Sequence, residues 1–163
     1  MAEENESVRK SFKKSIDRVV CRAYLSSNQA DLVDGVWTKV NLNSVTYDLG
    51  GNFDTSSNYR FDAPVSGLYQ VLGKIDLINT IANKNYAVSI YVNGSSVVHA
   101  HTNIGAATDE VDVEVNDLIF LNKDDYVELY AQSNAGVNTV DIDSDSEHTF
   151  LVVRLVNREG IRA

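Results

Sequence analysis

Residues 86–101 read YAVSIYV, then Asn93-Gly94, then SSVVHAH. Two runs rich in β-branched and aromatic residues flank a dipeptide that accepts positive φ at little cost, which is the strongest short-range signal for a β-hairpin. Outward from this hairpin the same chemistry repeats. Towards the N-terminus, residues 67–76 carry Leu68, Tyr69, Val71, Leu72 and Ile75. Val36 to Leu42 alternates, with Val36, Thr38, Val40 and Leu42 on one side and Trp37, Lys39 and Asn41 on the other. Towards the C-terminus, Val111, Val113 and Val115 alternate with Asp112, Glu114 and Asn116, the pattern of a strand with one wet face. Tyr126 to Ala131 follows a turn at Lys123-Asp124-Asp125. Thr149 to Val156 (TFLVVRLV) is almost continuously apolar, as a central strand is. The runs predict an all-β sandwich or jelly roll of eight to ten short antiparallel strands. No helical period is seen after residue 20.

Composition bounds what such a domain does. The 163 residues suit one domain, able to bury about 70% of its unfolded surface. With 23 acidic against 14 basic residues the net charge is -9, which argues against nucleic acid, whose phosphates need clustered Lys and Arg. No run of about 18 apolar residues exists to span a membrane as a helix. Cys21 is the single cysteine, so an intramolecular disulfide is impossible and stability must come from packing or association. The first twenty residues hold no apolar stretch of secretory length, and the expectation is a protein made in a cytoplasm that stays there unless it leaves by a route such as virion release.

Two regions follow from the charge pattern: an arm, 1–20, and a β-domain, 21–163. The arm carries Arg9, Lys10, Lys13, Lys14 and Arg18 with Glu3, Glu4, Glu6 and Asp17, while the rest holds 19 acidic and 9 basic residues. Val8, Phe12, Ile16 and Val19 recur at the spacing of an amphipathic helix, which at this length needs something to pack on. Either the segment, helical or extended, folds onto its own domain, or it docks on a partner or bundles with copies of itself.

Residues 48–69 add a more specific pattern. Asp48 stands five residues before Phe53; Phe61 follows, then Pro64, Gly67 and Tyr69 in the order Pro-x-x-Gly-x-Tyr. This resembles the signature of the C1q/TNF-like jelly-roll family. The Phe53–Phe61 spacing is one residue longer than usual, and Val71 and Gly73 replace the aromatic pair after the Tyr. Pro64 and Gly67 are expected to shape a turn, Gly67 taking a positive φ, while Phe61 and Tyr69 fill the core. The resemblance implies a homotrimer. A brief arm without a collagen stalk resembles bacteriophage virion components such as decoration or fibre proteins, whose arm ties the trimer to a capsid or other virion protein.

Reactive constellations are sparse. His99 and His101 share one strand face at i, i+2 and so approach one metal, but no Cys or carboxylate flanks them and His148 is remote; a polar face or subunit contact is the stronger reading. Asp141, Asp143, Asp145 and Glu147 offer oxygens to calcium yet lack the EF-hand Gly and Glu, and read as a solvated loop. Asp109, Glu110, Asp112 and Glu114 read as a solvent face. No serine sits in a nucleophile elbow, Cys21 has no neighbouring histidine, and Gly50-Gly51 lacks the Lys and helix of a phosphate loop. Trp37, Tyr47, Tyr59, Tyr86 and Tyr91 are candidates for stacking on sugars, with half or more expected in the core. The expectation is a non-enzymatic protein with no catalytic, cofactor or metal residues assigned. Its partners would be a trimer mate and a virion protein, or alternatively a glycan or receptor at a fibre tip.

Overall fold

A computed structural model of the chain describes residues 19–105 and 109–158. They form twelve strands and no helix: β1 (Val20–Tyr24), β2 (Thr38–Lys39), β3 (Ser44–Leu49), β4 (Phe53–Asp54), β5 (Arg60–Asp62), β6 (Gly67–Ile78), β7 (Lys84–Val92), β8 (Ser95–Ile104), β9 (Glu110–Leu121), β10 (Tyr126–Asn134), β11 (Asp141–Ile142) and β12 (Phe150–Arg158). All pairings are antiparallel. The first sheet runs β9-β6-β12-β1-β3, with β11 on the same edge of β6 as β12. The second runs β4-β5-β10-β7-β8, with β2 beside β5 on the edge of β10. This is the predicted all-β sandwich.

The strands beyond the predicted eight to ten come from β2, β4, β5 and β11, pieces of two or three residues too short to show a period. Val36–Leu42 is the clearest departure. Only Thr38 and Lys39 pair, Val36 is 49% exposed, and Val40 and Leu42 turn into the core. The chain is bent there by Gly35 at φ 72° and by a bond from Val36 N–H to the Val33 carbonyl. At the other end of the domain the sandwich takes in the last two residues of the predicted arm. Val20 opens β1, and buried Val19 accepts a bond from Leu155 N–H. Residues 1–18, with Val8, Phe12 and Ile16, lie outside the described residues.

Alternation sets the core. Cys21, Val71, Ile75, Val115, Leu151 and Val153 from one sheet meet Val88, Ile90, Val127, Leu129 and Ala131 from the other, and all are buried. Phe61 and Tyr69 fill the gap edge to face at 5.9 Å, and the Tyr69 hydroxyl donates to the Val65 carbonyl at 2.7 Å, tying the turn to the core. Asp48 explains its spacing to Phe53: its carboxylate accepts the Phe53 N–H at 2.9 Å and closes the Gly50-Gly51 turn.

Gly67 departs from its expected role. It begins β6 without a positive φ, and glycine is required because a Cβ would strike the Asn157 carbonyl at the bulge in β12. Gly73 likewise leaves room for Leu129 of the opposite sheet. The hairpin from β7 to β8 turns on Asn93 (φ 51°) and Gly94 (φ 79°), and its Asn93 amide donates to Asp125 at 2.8 Å while accepting Tyr126 N–H.

Two outcomes follow. Gly67→Ala should cost about 1–3 kcal/mol in urea unfolding, because the obstruction is backbone. Gly105→Ala, whose Cβ meets nothing within 4 Å, should leave the midpoint unchanged. Bonds from Asn93 and Asn122 hold the Asp125 carboxyl below its ordinary 3.8, so its stabilisation is present above that value and lost as pH falls below it. Asp125→Ala should therefore lower the melting temperature at pH 7 and shrink the further drop between pH 4 and pH 2.

Candidate functional site

The outward residues of the first sheet line up across five strands. One row reads Leu118, Gln70, Arg154, Val20, Leu49, and the next reads Asn116, Leu72, Val152, Arg22, Tyr47. A shallow depression of about 850 Å3 lies over this face, lined in part by Tyr47, Leu49, Leu72 and Val152. Leu118, Phe120, Tyr47, Leu49 and Val156 are each between 40% and 54% exposed. Arg22 is fixed here by stacking 4.0 Å over the Phe150 ring and by donating to the Ser146 carbonyl. A solvated sheet face is ordinarily polar, whereas this one sets exposed apolar side chains between Gln70, Arg22 and Arg154.

The outer face of the second sheet carries aromatic chemistry. Tyr91 and Tyr130 stack at 3.9 Å, Trp37 lies 6.3 Å from Tyr91 and 6.4 Å from His99, and His99 lies 5.4 Å from His101. Beneath them Ser89 is fully buried, its hydroxyl 2.8 Å from that of Ser96. Glu128 is buried and paired with Lys39. Burial pushes both the Tyr91 and Tyr130 phenols up. His99 and His101 share a face as expected, and both are exposed. Of the five aromatics singled out in the sequence only Tyr86 is in the core, its hydroxyl bound to Ile81; Tyr47 is exposed on the other sheet, and Trp37, Tyr59 and Tyr91 are half-buried.

A third constellation gathers at the end of β6. His148 is remote from the histidine pair and instead places Nδ1 2.7 Å from Asp76 Oδ2 and 3.3 Å from Asp143 Oδ2. Asp112 pairs with Lys74 at 2.7 Å. Burial, together with the Glu110 carboxyl, pushes Asp76 up to about 6, and the bond to Asp76 raises His148 above its ordinary 6.5. Thus Glu110 and Asp112 do more than face solvent, and Asp143 departs from a simple solvated loop. Asp141 belongs to β11, where it accepts from Asp31 N–H and the Asn79 amide. Cys21 is buried in β1 and its thiol is pushed up to about 12, chiefly by burial.

Asp76 and Tyr130 were not singled out by the sequence. Tyr126, Glu128 and Tyr130 do recur at i, i+2 and i+4, which marks one outward row. Asp76 gives a weaker signal, a lone acid in the run KIDLI.

No family model matches the chain. A Bacillus subtilis (strain 168) protein, the uncharacterized YqcC, is 31% identical over 104 residues, covering 61% of this chain and 28% of the relative's length. Among solved structures, Eiger TNF from S. frugiperda superposes with a TM-score of 0.68 at 6% identity, over 89% of this chain and 96% of that one. The globular domain of zebrafish complement 1qA gives 0.60 at 12% identity, over 87% of this chain and all of that domain. The fold is the C1q/TNF-like jelly roll that the 48–69 pattern implied.

Proposed function

We propose that this domain is a non-enzymatic structural protein that assembles as a homotrimer on a phage particle, decorating or stabilising the capsid or another virion part. The apolar outer face of the first sheet carries the reading. Tyr47, Leu49, Leu118, Phe120 and Val156 make it a surface that gains from being covered. β9 adds a twelve-residue edge, paired only with β6 among the described residues, and long edges are liabilities unless blunted or covered. A second copy suits both features. Arg154 stands on the face, while Glu114 and Asp117 lie along the β9 edge, so that edge against face brings opposite charges together. C1q/TNF-like folds commonly form homotrimers. Residues 1–18, whose sequence sets Val8, Phe12 and Ile16 among five basic and four acidic residues, are the part assigned to the particle. In this reading the protein is made in the host cytoplasm and leaves with the virion.

Light scattering of the full chain should give three times 18.0 kDa. Leu118→Lys with Tyr47→Lys should give a folded monomer. Removing residues 1–18, which leaves Val19 and β1 intact, should preserve the trimer and abolish co-sedimentation with particles. A wild-type monomer at micromolar concentration would refute the assembly, and undiminished particle binding by the truncated chain would refute the arm's role.

The Trp37–Tyr91–Tyr130 cluster favours a second reading, a receptor- or carbohydrate-binding module. Flat rings with polar neighbours such as Gln132, His99 and His101 suit the apolar face of a pyranose and its hydroxyls. On a glycan array, wild type should then show hits that Trp37→Ala reduces at least tenfold without changing the oligomer. An array without hits would dismiss this reading and leave the assembly standing.

A further inference from the structure

We propose that Asp76, Glu110 and His148 form a binding site for one divalent transition-metal ion of the zinc class, with Asp143 at its margin. The three side chains come from the end of β6, the start of β9 and the loop before β12, and each offers a donor atom within 4.8 Å of the others. Their carrier is well fixed. Asp76 N–H donates to the Thr149 hydroxyl at 3.1 Å, and the Asp76 carbonyl accepts Asp143 N–H at 2.8 Å.

The Asp76 carboxylate is what demands a cation. Its side chain is 1% exposed; Oδ2 meets His148 Nδ1, whereas Oδ1 is buried and meets no hydrogen-bond partner. A buried carboxylate oxygen without a donor is costly. The Glu110 carboxyl lies against Asp76, acid against acid, and Asp143 claims the same imidazole nitrogen at 3.3 Å. Lys74 does not resolve the excess, because its ammonium is engaged with Asp112 and the Glu147 carbonyl. Three carboxylates therefore converge on one imidazole. Either a shared proton or a metal ion compensates them; metal titration separates the two, and the donor types say which metal.

One imidazole with carboxylates is a set taken by zinc and its neighbours, whereas calcium prefers six to eight oxygens. Donors about 2.1 Å from a tetrahedral ion stand about 3.4 Å apart, so the present spacing needs only small side-chain rotations. Glu110 is exposed and His148 is 38% exposed, which gives the ion a way in. Asp76, beneath them, supplies the fixed ligand.

The full chain, stripped with chelator and dialysed, should be titrated with ZnCl2 and followed by calorimetry and thermal melting. One ion per chain is expected, with a melting rise of roughly 5–10 °C at a hundredfold excess over Kd. Glu110→Gln and His148→Gln should each remove most of that rise, measured against the variant's own metal-free melt, so that altered stability alone does not mimic the result. The double variant His99→Ala/His101→Ala should keep the rise, separating this site from the surface pair. CaCl2 and MgCl2 at equal concentration should give little. Absence of a zinc-dependent rise, its survival in both Gln variants, or a larger rise with calcium would overturn the proposal.

Discussion

The last described strand, β12, is inserted between β1 and β6, and every other feature of the first sheet depends on that insertion. Val20 pairs with Arg154 on one side while Gln70 pairs with it on the other, so a residue near the start, one in the middle and one near the end share a single row. Such pairing is non-local and gains nothing until the chain has folded back across most of its length. Once made, it buries Cys21, Val153 and Val71 on the inner side and lays out Arg22, Val152 and Leu72 on the outer side. The outer face is thus a by-product of closing the sandwich, since the same strands cannot show their inner residues to the core without turning the alternate ones outward.

Two glycines make this closure compact. At Gly67 the main chain of β6 meets the bulged carbonyl of β12, and at Gly73 a leucine from the second sheet occupies the space a side chain would take. The motif departs from its usual aromatic pair at Gly73, and Leu129 fills the volume from the opposite sheet. Volume is conserved across the core rather than at a position, which is how cores tolerate substitution.

What was legible in the sequence were features with a period or a stiff local rule. Val111, Val113 and Val115 alternate because one face of β9 is wet, and Asn93-Gly94 is readable because few residue pairs accept that turn. Asp48 and Phe53 were legible as spacing, although the bond that explains them needed coordinates. The short β4, β5 and β11 were not legible, since two or three residues show no period. Nor was the Asp76 cluster: His148 reaches it from 72 residues away, and sequence distance hides such encounters. Trp37 stands over the second sheet among Tyr91 and His99, a grouping set by the pairing of β2 and β7 with β10 and of β8 with β7, while Val36, expected on the same side as Val40, is exposed in a turn.

The burial of Cys21 bears on the reactivity of the domain. It is the one thiol in 163 residues, it lies on the inner side of β1 between β12 and β3, and burial keeps it protonated far above neutral pH. Oxidants and disulfides react with thiolates, and this sulfur offers almost none at a reachable position. While the sandwich stays folded, the thiol is therefore withdrawn from disulfide exchange.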